Sequence, residues 1–295
     1  MLGLLLLNKP EGITSFSAVS AIKRLAGEKR VGHTGTLDPM ATGVLPILIG
    51  RATVLSGLML DADKKYIATV KLGVTTDTDD ITGEVLSQSE VDVTEQQLKE
   101  VLIHFTGRLS QKPPIYSAIK KDGVRLYKLA REGKTTEIKP RDIEIFSIKL
   151  LDELNSQNEF KIEAHVSKGT YIRSLARDIG EYLGCGATLS GLCRTYASGF
   201  YIDDCVELDR LNADNIGEYI MSEEKAVEHL DVINVTEKQA VRFSNGGQLG
   251  FDRLKIGEVS DGELFRVKHG EKLLGIGFAD IEKQEIGIKC IINQY

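Results

Sequence analysis

The chain has 295 residues, 42% of them hydrophobic, and carries 37 basic against 43 acidic side chains. That length and composition suit one large or two ordinary globular domains with a sizeable core, and exclude a disordered or fibrous chain. No run approaches the roughly 20 apolar residues of a membrane span, and four cysteines without C-x-x-C spacing indicate neither a zinc site nor a disulfide framework.

In chain order, residues 1–7 are apolar with no basic segment ahead of Asn8-Lys9-Pro10-Glu11-Gly12. They read as a buried strand and turn, not a signal peptide, and a cytoplasmic location is expected. Ser15 is placed to cap a helix in which Phe16, Val19, Ile22 and Leu25 keep helical spacing up to Gly27. After a glycine-rich loop over residues 32–43, residues 65–72 alternate as a half-buried strand that begins at Tyr66. Thr94 and Gln97 form a capping box for a helix bearing Leu98, Val101, Leu102 and Phe105, stopped by Gly107. Residues 112–141 hold nine basic and three acidic residues, a composition suited to phosphate binding on one face of a protein whose net charge is acidic. Two strands follow, over residues 141–151 and 159–168, and then Gly169-Thr170 opens a helix with Tyr171 and Arg173 in its first turn. Residues 201–231, with ten acidic and two basic residues, close this unit, and Leu211, Ile216, Tyr219 and Ile220 suggest a short amphipathic helix there. Beyond it, a helix at 236–243 and glycine-punctuated short strands predict a small, mostly β module. The boundary is expected near residue 231.

The loop Gly32-His33-Thr34-Gly35-Thr36-Leu37-Asp38-Pro39-Met40-Ala41-Thr42-Gly43 sets one carboxylate among small residues. Its glycines allow positive φ and close approach of a substrate, and Pro39 holds Asp38 extended or in a turn. An Asp-Pro turn accounts for Asp38 equally well until its surroundings are considered. The loop lacks the G-K-[ST] ending of a phosphate-binding Walker loop and is no G-x-G-x-x-G. The chain has no G-x-S-x-G elbow, and no second carboxylate stands out to complete an acid/base pair. A single nucleophilic or electrostatic Asp remains.

Six co-linear motifs carry a family resemblance. They are Leu7-Asn8-Lys9-Pro10-x-Gly12-x-x-Ser15, the Asp38 loop, Lys65-Tyr66, Gly73-x-x-Thr76-x-Thr78-x-Asp80, Gln111-x-Pro113-Pro114-x-Tyr116-Ser117-Ala118 and Lys168-Gly169-Thr170-Tyr171-Ile172-Arg173. In this order they resemble the bacterial TruB family of tRNA pseudouridine-55 synthases, across most of residues 1–200. The resemblance implies an α+β fold: a catalytic domain with a mixed, largely antiparallel sheet over residues 1–231, a thumb-like basic loop at about 111–141, and a β-rich, PUA-like RNA-binding domain over 232–295. It implies isomerisation of uridine 55 in the tRNA T loop to pseudouridine by a flipped-base mechanism, with no cofactor, no metal and no obligate protein partner, by a monomer. Asp38 is then the essential carboxylate, Tyr66 stacks on the base and takes the C5 proton, and Arg173 pairs with Asp38. Tyr171, His33 and Leu192 contact the target nucleotide or the reshaped loop around it, and Lys9, Lys112, Lys120, Lys121 and Arg125, with Lys128 and Arg131, meet the RNA. Cys193 and Tyr196 stand where relatives frequently place arginines, which removes some phosphate contacts there. Two other readings share the fold: an RNA-guided synthase subunit and a non-catalytic tRNA-folding factor. Stacking at ~1–3 kcal/mol per base is of the size needed to offset the few kcal/mol of base flipping.

Overall fold

The computed structural model describes residues 1–60, 62–116 and 138–295, together with the backbone of 120–121 and 124–125. The Ser117-Ala118 end of the fifth motif, the side chains of Lys120, Lys121 and Arg125, and Lys128 and Arg131 lie outside the described residues.

The larger sheet is built from β1 (Gly3–Lys9), β2 (Val31–His33), β3 (Thr42–Ile49), β4 (Lys64–Leu72), β7 (Gly107–Gln111), β10 (Arg141–Asp152), β11 (Glu159–Val166), β12 (Ala187–Ala197), β13 (Phe200–Tyr201) and β14 (Val206–Glu207). Its order is β14-β1-β3-β12-β4-β11-β10-β7, with β2 on β3 and β13 on β12. All neighbours are antiparallel except β1–β14 and β3–β12, so the sheet is mixed. Outside it, β5 (Val74–Thr76) pairs β6 (Val85–Gln88), and β8 (Lys120–Lys121) pairs β9 (Val124–Arg125).

Hydropathy along each strand explains which faces are covered. On β4 the pattern is strictly alternating, with Tyr66, Ala68, Val70 and Leu72 buried on one face only. On β1 nearly every residue is buried: Leu5 and Leu7 enter the principal core, whereas Leu4 and Leu6 enter a second cluster on the opposite face. The principal core is closed by α1 (Ser15–Leu25), α3 (Glu95–His104) and α4 (Ile172–Leu183), which supply Ile22, Leu98 and Ile179 among others. The second cluster joins Leu4, Leu6 and Leu48 to Leu273, Ile276 and Ile292. A five-stranded sheet, β15-β17-β18-β19-β16, therefore backs the β1–β3 half of the larger sheet. It comprises β15 (Asp231–Asn234), β16 (Leu249–Gly250), β17 (Leu264–His269), β18 (Lys272–Asp280) and β19 (Glu285–Ile291), with α5 (Glu237–Ser244) packed on it through Ala240 and Phe243. The short α2 (Ser56–Leu60) leads into β4.

Four local expectations are corrected. Thr14, not Ser15, caps α1, accepting from Ser17 N at 3.0 Å; the Ser15 hydroxyl instead bridges the Leu37 amide and carbonyl at 2.8 and 3.0 Å. Phe16 is turned outward and 77% exposed. In place of an amphipathic helix, residues 211–220 hold one 3₁₀ turn, Ile216–Tyr219, whose Ile216 alone is fully buried. Gly107 begins β7, while α3 has already ended at His104, with Phe105 as its C-cap. The Thr94–Gln97 capping box is present as expected.

Candidate active site

Asp38 sits in the loop between β2 and β3, opposite the N-terminus of α4. The ends of β4 and β12 complete the walls of a cavity of about 320 Å³ lined by Asp38, Tyr66, Tyr116, Tyr171, Arg173 and Leu192, with Lys64 and Arg194 beside them. That volume falls in the size range of small-ligand sites. Asp38, Tyr66, Tyr171, Arg173 and Leu192, distant in sequence, line one cavity.

Arg173 organises it. Its Nε lies 2.9 Å from Asp38 Oδ2 and its Nη2 donates to Oδ1 at 3.2 Å, a two-point fork on the carboxylate. Its Nη1 donates to the Thr78 carbonyl at 3.0 Å and Nη2 to the Tyr116 carbonyl at 2.9 Å. A cation in the first turn of a helix opposes the helix dipole, and α4 has no acidic residue there to answer it. The compensation comes from outside the helix, from Asp38 and from Asp80, whose Oδ2 is 3.6 Å from Nη1.

Asp80 is the second carboxylate that no spacing rule picked out. It is buried, accepts from the Thr78 hydroxyl at 2.9 Å and the Thr82 amide at 3.0 Å, and is fixed through its carbonyl by the Thr76 hydroxyl at 2.7 Å. The motif containing these threonines is the signal that locates it. Arg173 is therefore shared by two anions. Burial pushes the Asp38 carboxyl above its ordinary range, with Asp80 adding to the rise and Arg173 working against it. Of the two carboxylates Asp38 is the accessible one, at 34% side-chain exposure against 6% for Asp80.

The loop is braced from both sides. Lys9, expected on the substrate, is fully buried and its ammonium donates to the carbonyls of Pro10, Ile13 and Pro39 at 2.7, 2.8 and 3.3 Å, beneath Asp38. Burial lowers its pKa to about 8. Arg194, missed by sequence reasoning, is 1% exposed; its Nε donates to the Val44 carbonyl at 2.8 Å and its Nη2 to the Gly35 carbonyl at 3.1 Å. Gly43 is required where β3 meets β12: its φ is +104°, and a Cβ there would lie 2.2 Å from the Arg194 carbonyl.

His33 ends β2 and does not line the cavity; burial lowers its pKa, and the charge of Arg194 adds to this. Among the described residues the buried polar side-chain atoms without a partner are His33 Nδ1, Thr34 Oγ1 and Thr170 Oγ1. Of these three residues only Thr170, in the turn before α4, lines the cavity. Lys112 has an exposed side chain, and its carbonyl accepts from Ser174 and Arg177 of α4, both at 3.0 Å. Gln111 exchanges two hydrogen bonds with the Tyr171 backbone, at 2.9 and 3.1 Å. The root of the basic segment is thus fastened to the helix that carries Arg173. Among the described residues no three His, Cys, Asp or Glu side chains gather as a metal-binding group, and no helix is long and apolar enough to cross a membrane.

An accessible carboxylate forked by an arginine, between tyrosines at the end of a mixed sheet, belongs with the pseudouridylate synthases. The model described as TruB family pseudouridylate synthase (N terminal domain) matches residues 23–172, and that of the tRNA pseudouridylate synthase B C-terminal domain matches 173–232. The chain is a member of the TruB family. It is 42% identical to tRNA pseudouridine synthase B of Clostridium acetobutylicum over 93% of this chain and 94% of the relative. With the enzyme of the same name from Microcystis aeruginosa it shares 41% identity over the full length of both. Among solved structures, a Cbf5-Nop10-Gar1 complex holds a chain that superposes with a TM-score of 0.76 at 26% identity, covering 99% of this chain and 85% of that one.

Proposed function

We propose that this protein isomerises uridine 55 in the T loop of tRNA to pseudouridine, with Asp38 as the attacking carboxylate. In this isomerisation the bond from ribose C1′ to N1 breaks, a bond from C1′ to C5 forms, and the C5 proton leaves as N1 is protonated. Arg173 keeps Asp38 oriented and favours its anion against burial, Tyr66 stacks on the flipped base and receives the C5 proton, and Tyr171 and Leu192 close over the nucleotide. The observation that carries this reading is the forked Asp38–Arg173 pair facing Tyr66 in a cavity of about 320 Å³. Identity of 42% to a tRNA-specific relative, against 26% to the chain from the Cbf5 complex, favours a stand-alone enzyme over an RNA-guided subunit. The basic segment and the module over residues 232–295 add contacts to the phosphate backbone, which give affinity and little sequence information.

The test is release of tritium from bare tRNA labelled at uridine C5. The purified protein alone releases the label, and Asp38→Asn does not. Release by the mutant at the wild-type rate overturns the assignment of Asp38; no release by the wild type overturns the function.

A further inference from the structure

Two arginines line the cavity and are satisfied very differently. Arg173 meets two carboxylates and two carbonyls. Arg194, at 1% exposure, meets two backbone carbonyls, and among the described residues no carboxylate pairs with it. A guanidinium has five N–H donors in a planar fork; here Nε and one arm of Nη2 are engaged. Among the described residues its Nη1 makes no hydrogen bond, and the side chain lines the cavity. Buried charge without an opposite charge is costly, and the surroundings of Arg194 deepen the imbalance, because Lys9 and His33 both feel its positive charge. Thr34, whose buried hydroxyl has no partner, immediately precedes the Gly35 carbonyl that Arg194 holds. A buried guanidinium held by two carbonyls and lining the cavity has the make-up of a preformed anion site.

We propose that Arg194 is a phosphodiester-binding residue: its free Nη1 edge takes a phosphate flanking the flipped uridine and so seats the ribose over Asp38. The proposal rests on the reading of the cavity as the uridine site. An RNA strand that delivers one nucleoside into a cavity of about 320 Å³ must bring its adjoining phosphates to the rim. Planar two-point recognition of phosphate is the task for which a guanidinium is better suited than an ammonium. The two carbonyl contacts hold the side chain in place before the RNA arrives, so little rotamer freedom is lost on binding.

The experiment uses T-arm RNAs in which the phosphate 5′ or 3′ to the target uridine is replaced by a neutral methylphosphonate, with tritium release as the readout. Turnover of the all-phosphate RNA by the wild type establishes the underlying function independently. At one of the two positions the neutral linkage lowers wild-type kcat/KM by about 10- to 100-fold, the range of a charge-assisted hydrogen bond. Arg194→Gln loses a similar factor on the all-phosphate RNA and nothing more on that methylphosphonate. Wild-type turnover of both neutral RNAs at the all-phosphate rate overturns the proposal without any variant, and assigns Arg194 to a neutral acceptor on the nucleoside. A methylphosphonate penalty that is undiminished in Arg194→Gln also overturns it, since another residue then reads the phosphate.

Discussion

Two charge triads among the described residues have opposite compositions. In the cavity one cation, Arg173, stands between two anions, Asp38 and Asp80. At the seam between the two sheets one anion, Glu224, stands between two cations, Arg266 at 2.7 Å and Lys268 at 2.9 Å, and Arg266 also donates to the Leu230 carbonyl. The members of the seam triad are all 14–21% exposed, so the charge is enclosed evenly and joins the Glu223–Val227 turn to β17. The cavity triad is uneven. Two of its members are sealed, and the third, Asp38, is left a third exposed with its proton affinity raised. Enclosing a triad evenly makes a joint, whereas leaving one anion accessible makes a reagent.

The largest way to test that contrast is Asp38→Asn. Catalysis falls by about 10⁴-fold or more, as for loss of a nucleophile. Asp38 is an acid whose folded pKa lies above its ordinary value, so the folded state holds the proton more tightly and stability declines as pH rises through that window. Removing the charge therefore leaves thermal stability at neutral pH intact or higher, and a marked fall in Tm would make Asp38 a structural residue like Glu224. Next in size is Tyr66→Phe, which retains the ring but not the hydroxyl. A loss of about 10²- to 10⁴-fold in kcat with tRNA binding preserved fits a proton acceptor, and weakened binding with unchanged kcat would leave Tyr66 only a platform.

Glu224→Ala acts on the other triad. With two half-sealed cations unpaired, urea titration should show a loss of about 2–3 kcal/mol, and kcat on tRNA should not change. A catalytic defect at unaltered stability would dissolve the distinction between joint and reagent. The smallest expected effect concerns pH. In the proposed mechanism Asp38 attacks as an anion, so kcat/KM is expected to fall as pH is lowered through its raised pKa, with the acid limb above the ordinary aspartate value of 3.8. A limb at or below that value would mean that Arg173 outweighs burial.

Much of this was written locally in the chain. Alternation placed β4 to within a residue, Thr94 and Gln97 marked the start of α3, and the glycine-rich surroundings singled out Asp38. What escaped depended on register. Asp80 contacts Arg173 only because the Thr78–Thr82 turn is docked against β12 through the Asp79–Leu189 and Ile81–Leu189 hydrogen bonds. Lys9 was expected on the RNA and Arg194 was given no role; each is buried because the Asp38 loop folds over it and offers carbonyls. Ser15 is buried and Phe16 exposed because the loop, arriving 22 residues later, places the Leu37 backbone where the Ser15 hydroxyl meets it. Helical spacing identifies a face but not what will arrive to cover it.

The contact between Gly43 and the Arg194 backbone bears on how this protein tolerates change. Since a single added carbon would sit 2.2 Å from a carbonyl oxygen of the adjoining strand, even alanine at position 43 wedges β3 from β12 beneath the cavity. In a saturation library selected for activity, that column should be as empty as the one for Asp38, although Gly43 has no side chain to offer the RNA. Fold-level measurement separates the two: Gly43→Ala loses stability and activity together, while Asp38→Asn loses activity alone.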